Sequence, residues 1–224
     1  MRSKKLLFLL SFGLFAAFVF FSYLVSKEKF VQLDFDLTVK LQDHLSRRFD
    51  LPFSLLSLLG SAEVTGIIWA GFLLYSLLRR YWLAAAALFT FWGGLFLEIF
   101  GKLFVYHPGP PFLFYRGVID FNFPSSYAHT NYSYPSGHLT RTSFLVSALV
   151  VYLLLKAPKK FGILPQLGAL GFLVAMMVSR VYLGEHWTTD VIGGTLLGTS
   201  LGIFTAMTVP LKKKAFSGSN GNLI

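Results

Sequence analysis

The sequence predicts an all-α fold: a polytopic membrane bundle of six transmembrane helices with one further amphipathic helix lying in the interface. Three observations carry this. Hydrophobic residues make up 54% of the 224 positions and charged residues only 13%, too few to coat a soluble surface. Mean hydropathy is +0.62. Apolar stretches recur at Leu6–Val25, Val64–Leu78, Trp82–Val105, Leu139–Leu155, Ile163–Ser179 and Thr188–Val209. In lipid each must be helical, because only a helix satisfies its own backbone N–H and C=O groups.

The first stretch follows Arg2, Lys4 and Lys5, as a signal peptide would. Its length of roughly twenty residues suits a bilayer span. No small-residue cleavage pattern follows it, so it is read as a retained helix. The second stretch is short. Before it, Lys29–Leu59 carries Leu37, Leu41, Leu45 and Phe49 at a spacing of four, which suits an interfacial helix. The alternation Val31, Leu33, Phe35, Leu37, Val39, Leu41 also fits a strand, but an open strand edge at a bilayer is poorly tolerated. Tyr106–Pro135, rich in Pro, Tyr, Ser and Asn, reads as a long functional loop. Residues 1–210 form one domain, with the chemistry-bearing motifs within 102–190. Residues 211–224 form a basic, disordered cytoplasmic tail.

The net charge of +10 is explained by where the charges sit. With the N-terminus inside, the inner segments carry Arg2, Lys4 and Lys5; Arg79 and Arg80; Lys156, Lys159 and Lys160; and Lys212, Lys213 and Lys214. Basic residues of the outer segments are diluted by Asp and Glu. This positive-inside pattern puts both termini in the cytoplasm and argues against a nucleic-acid partner. There is no Cys, which excludes disulfides and thiolate metal sites.

Three places break the hydrophobic pattern, all on the outer side by the charge argument. Lys102 closes the third span and precedes His107-Pro108-Gly109-Pro110. Pro135-Ser136-Gly137-His138 opens the fourth. Ser179-Arg180, His186 and Asp190 join the fifth and sixth. Lys102 and Arg180 offer fixed positive charge to phosphate oxygens. Ser136 and Gly137 stand where a helix begins and its N–H groups are free. His138 and His186 can each serve as nucleophile or general acid. If the sixth helix begins near His186, Asp190 shares its face and can hold the imidazole N–H.

These residues resemble the motifs of the type 2 phosphatidic acid phosphatase (PAP2) superfamily, which also includes vanadium haloperoxidases. The family pattern is Lys-x6-Arg-Pro, then Pro-Ser-Gly-His, then Ser-Arg-x5-His-x3-Asp. The second and third motifs are intact here, and the resemblance runs from about Leu33 to Val209. It implies a helical bundle whose site lies at the outer membrane face. It implies that His186 attacks phosphorus, that His138 protonates the leaving alkoxide, and that Lys102, Ser136, Gly137 and Arg180 hold the phosphate. It implies no metal and no cofactor. The partner is then a lipid phosphate or pyrophosphate of undecaprenyl pyrophosphate, phosphatidylglycerol phosphate or phosphatidic acid type.

The first motif departs from the pattern: Gly109 stands where Arg belongs, and His107 where many relatives carry an additional Arg. Arg141, three residues after His138, is the expected substitute, with Arg116 as a second candidate. Glu98 is expected to pair with Lys102 within one helix, and His107 to be an ordinary loop residue. Two rival functions stay open: a lipid phosphotransferase using the same site, and a weakened lipid-binding relative. The lipid and the oligomeric state are not written in the sequence.

Overall fold

The computed structural model describes residues 2–119, 123–127, 130–156 and 162–209. The tail expected at 211–224, and Lys159 and Lys160, lie outside them. The described residues fold into α1 (Arg2–Ser26), α2 (Val31–His44), α3 (Asp50–Leu58), α4 (Ala62–Leu78), α5 (Trp82–Leu88), α6 (Thr90–Phe104), α7 (Gly137–Lys156), α8 (Ile163–Tyr182) and α9 (Thr188–Thr208). Among the described residues, six stretches are long and apolar enough to cross a membrane, and the chain is a multi-pass membrane protein.

The second span differs from expectation. It begins at Arg47 and runs to Leu78 through α3 and α4, so it is not short. Leu45 and Phe49 do not continue the helix of Leu37 and Leu41. Leu45 turns extended, and Ser46 starts a new segment by accepting the Arg48 N–H. Pro52 then sits in the first turn of α3, where a missing N–H costs nothing.

The helix expected before this span is present as α2, but its faces are inverted. The buried positions are Asp34, Thr38 and Gln42, spaced by four, while Val31, Leu33, Phe35 and Leu37 are exposed. A soluble helix hides its apolar stripe. Here the protein interior receives the polar one. The third span is interrupted at Phe89, between α5 and α6. Trp69 Nε1 takes the Leu88 carbonyl at 2.9 Å and Thr90 Oγ1 takes that of Ala87 at 2.8 Å, so side chains supply the partners the helix ladder loses.

The bundle is organised on α7 and α9, which run parallel. Gly194, Gly198 and Gly202 of α9 face the Ser136 carbonyl, the Thr140 carbonyl and the Phe144–Ser147 turn in that order. A Cβ at any of the three would meet these atoms inside contact distance, so the backbones touch only because the side chains are absent. On the other side of α9, antiparallel α1 is tied by Ser11 Oγ to the Ser200 carbonyl (2.8 Å). At one end Lys4 Nζ reaches the Met207 carbonyl (2.8 Å), which brings the start of α1 and the close of α9 together. The opposite end gathers the N-terminal ends of α4, α7 and α9 and the C-terminal ends of α6 and α8.

Candidate active site

Asp190 is the third residue of α9, and its carboxylate bends back over the helix start. Oδ2 accepts the Trp187 N–H at 3.0 Å and stands 3.1 Å from His186 Nδ1. The helix begins at Thr188, where the sixth apolar stretch begins, and not at His186, so His186 belongs to the preceding turn and still reaches Asp190. That turn is set by Gly184 at φ +67, whose Cβ would run into Phe114. It is also held by the His186 N–H on the Arg180 carbonyl (3.3 Å). With Nδ1–H donating to Asp190, the lone pair of His186 resides on Nε2. Burial first, then the charges of Arg180 and Lys102, hold the His186 pKa well below the usual histidine range. The ring is therefore neutral at neutral pH, as a nucleophile must be.

The Ser136 N–H donates to the Asp190 carbonyl at 3.0 Å, which locks the start of α7 to the first turn of α9. Two helix N-termini thus converge on one place; that of α9 is capped by the carboxylates of Asp190 and Asp34, which leaves the N–H groups at the start of α7 to favour an anion. Tyr134, fully buried, braces this junction from behind. Its ring lies against Gly193 and over Phe18, and its hydroxyl is 2.9 Å from Ser22 Oγ. His138, in the first turn of α7, packs against Gly60 at the entry of α4 and lies within Coulombic reach of Arg180, Arg141, His186 and Lys102.

The cations are held by carboxylates. Glu98 of α6, 4% exposed, takes Lys102 Nζ at 3.1 Å, the intrahelical pair expected from the sequence. The same carboxylate also takes Arg141 Nη1 from α7 at 2.8 Å. Gly137 lies directly against Glu98 and Arg141, so any side chain there would displace the carboxylate. Arg180 donates to Ser57 Oγ and pairs with Glu185. The Nε atoms of Arg141 and Arg180 and the hydroxyl of Ser136 are buried with no hydrogen-bond partner among the described residues. Buried donors in a native site call for an acceptor.

All the residues named from the three motifs, and Arg141, meet at this end of the bundle. Arg116 does not. Its Nη1 donates to the Gln42 carbonyl at 3.1 Å and its guanidinium lies 5.1 Å from the Tyr182 ring centroid, so it fastens α2 to α8. His107 is not an ordinary loop residue. It is 5% exposed, with Nε2 3.1 Å from Thr189 Oγ1, 3.5 Å from Asp190 Oδ1 and 3.7 Å from Asp34 Oδ2. Burial lowers its pKa, against the pull of Asp190. Asp34 is the residue that sequence reasoning missed. The available signal was the polar stripe Asp34–Thr38–Gln42 in an otherwise apolar helix.

Comparison with known proteins agrees with this geometry. A model of the PAP2 superfamily matches residues 81–214, more than half of the chain. An undecaprenyl-diphosphatase of Sulfolobus acidocaldarius is 44% identical over 89 residues, a stretch that spans 38% of this chain and 38% of that protein. The crystal structure of a transmembrane PAP2 type phosphatidylglycerolphosphate phosphatase from Bacillus subtilis shares the fold. Its TM-score is 0.67 at 22% identity, over 87% of this chain and 93% of that one. With its motifs gathered at one end of six apolar spans and the family model matched across most of them, the chain belongs to the PAP2 superfamily.

Proposed function

We propose that the protein is a lipid phosphatase that removes the terminal phosphate from a lipid-linked phosphate or diphosphate. The observation that carries this is the His186–Asp190 pair at 3.1 Å, set beside His138 and the cations Lys102, Arg141 and Arg180. Nε2 of His186 attacks phosphorus as the P–O bond to the leaving oxygen breaks. Asp190 keeps the Nδ1 proton in place and stabilises the developing imidazolium. His138 delivers a proton to the leaving oxygen; the anionic substrate beside it favours the imidazolium form this requires. Water then attacks the phosphohistidine, His138 takes its proton, and the P–N bond breaks to release inorganic phosphate.

Lys102, Arg180, Ser136 and the Gly137 backbone hold the phosphoryl oxygens, and Arg141 stands in for the arginine absent at Gly109. Glu98 keeps Lys102 and Arg141 side by side until the substrate arrives. The Lys4–Met207 contact, with Lys156 at the far end of α7 from the site, supports a cytoplasmic location for that end. The site then faces the extracytoplasmic side, where a lipid phosphate enters from the outer leaflet.

The test is phosphate release in detergent, without an acceptor, from a panel of lipid phosphates by wild type and His186→Ala. Release that falls to background in the variant supports the proposal. Lipid binding without turnover, unchanged by His186→Ala, refutes it.

A further inference from the structure

Ser54, Ser57 and Ser61 lie along one side of α3 and its exit, and all three are buried. None belongs to a phosphate motif. Each hydroxyl oxygen already accepts a bond: from Val118 N–H at 3.2 Å, from Arg180, and from Val64 N–H at 3.2 Å respectively. No acceptor for any of their three protons is found among the described residues. The three serines front a cavity of about 160 Å³ that is lined also by His138, Arg180, Tyr115 and Glu185. Lys102, Arg141 and His186 do not line it. The cavity thus opens on the side of His138 away from the Lys102–Glu98–Arg141 cluster, next to the group that protonates the leaving oxygen.

Its walls are rich in donors. Three serine protons, the Tyr115 hydroxyl and the Arg180 guanidinium stand there with one carboxylate, Glu185. An alkyl chain joined directly to the leaving oxygen would bury these donors unsatisfied. A group made of acceptor oxygens satisfies them. Glu185 offsets the charge of Arg180, so the cavity suits a group bearing one negative charge better than a dianion.

We propose that this cavity is a leaving-group subsite for a phosphoryl group, and that the substrate class is therefore a lipid diphosphate. The inner phosphoryl of a diphosphate carries a single charge and two free acceptor oxygens. As the terminal phosphorus bonds to His186, its bond to the bridging oxygen breaks. That oxygen takes the proton of His138, and the lipid monophosphate departs from the serine-lined cavity. This rests on the hydrolytic reading above.

The experiment compares a polyprenyl diphosphate with the monophosphate of the same chain, using wild type and Ser54→Ala/Ser61→Gly. Neither substitution touches Arg180, and glycine largely preserves a helix N-cap. Wild type is expected to favour the diphosphate in kcat/KM by roughly tenfold or more, the effect of a hydrogen bond or two to an anion. The double variant is expected to lose that preference while retaining turnover of the monophosphate. A second arm needs no variant: methylenediphosphonate should protect wild type against thermal unfolding at lower concentration than methylphosphonate. Equal, His186-dependent turnover of both lipids, a preference that survives in the double variant, or equal protection by the two phosphonates overturns the subsite and leaves the hydrolytic reading intact. Failure of that reading shows differently, as no phosphate from either lipid and no effect of His186→Ala.

Discussion

Asp34 grips Thr189 with both carboxylate oxygens, Oδ1 on its N–H at 2.9 Å and Oδ2 on its hydroxyl at 2.7 Å. This fastens α2 to the first turn of α9, one residue before Asp190. Burial raises the Asp34 pKa to about 6, against the opposing bonds from Thr189. An acid whose folded pKa is raised binds its proton more tightly when folded. Its contribution to stability is full below the unfolded value and is lost as pH rises through about 6. Buried neutral His107 acts in the opposite direction, losing stability as pH falls below the ordinary histidine range. Asp34→Asn isolates the first effect. Thermal unfolding in detergent should show wild type losing stability between pH 4 and pH 7 relative to Asp34→Asn, by at most about 3 kcal/mol. Parallel curves would refute this.

His186 is held neutral by burial and by its cationic neighbours, so its protonation should not limit the free enzyme near pH 6. The His186 imidazole resonances, followed by NMR in detergent from pH 5 to 8, should show no titration centred near 6.5; a titration there would contradict the assignment. Asp190→Asn keeps the shape but can present the wrong group to Nδ1. It should lower kcat by about 10²–10⁴ with little change in KM.

Arg141 and Glu98 should separate stability from activity. Glu98→Ala leaves Arg141 buried without its carboxylate, at a cost of about 3–5 kcal/mol. Arg141→Ala leaves Glu98 still paired with Lys102, so unfolding should move less. Turnover should fall by about 10²–10³, the effect of losing one preorganised donor, and about as far as in Arg180→Ala. Phosphate release and melting temperature on the same preparations decide the matter. Near-normal turnover of the Arg141 variant would mean that it does not replace the guanidinium absent at Gly109.

The glycine seam gives the sharpest stability contrast. Gly198→Ala drives a methyl group into the Thr140 carbonyl, a backbone atom that cannot swing aside. It should destabilise by about 1–3 kcal/mol and impair turnover, because α7 and α9 carry His138 and Asp190. Gly168→Ala on α8, with nothing within 4 Å of the added carbon, should melt like wild type. Equal melting of the two variants would show that the seam does not set the packing.

The spans were legible because lipid demands continuous apolar helices, and the motif residues because they lie in short contiguous runs. What escaped the reading depends on partners remote in sequence. Asp34 and His107 acquire meaning only when Thr189 and Asp190 are folded against them. The second span looked short because Ser54, Ser57 and Ser61 punctuate its first half, and they face inward rather than toward water. The spacing of Leu37 and Leu41 correctly indicated a helix in α2, but which face it buries was decided by polar neighbours on α8 and α9. The break at Phe89 follows from the indole of Trp69, nineteen residues before Leu88. The part played by Gly194, Gly198 and Gly202 likewise depends on a partner remote in sequence, the backbone of α7.

Because α7 and α9 are parallel, the electropositive ends of two peptide dipoles stand shoulder to shoulder, that of α9 answered by Asp34 and Asp190 and that of α7 left open to an anion. That part of the field belongs to the main chain, so it does not depend on the identity of any one charged side chain. A lineage that places its charge in this way can let a guanidinium drift out of a neighbouring loop, as at Gly109, and still greet an incoming anion with a favourable potential. Divergence in the first motif is therefore a milder event here than it would be in a pocket assembled from side chains alone.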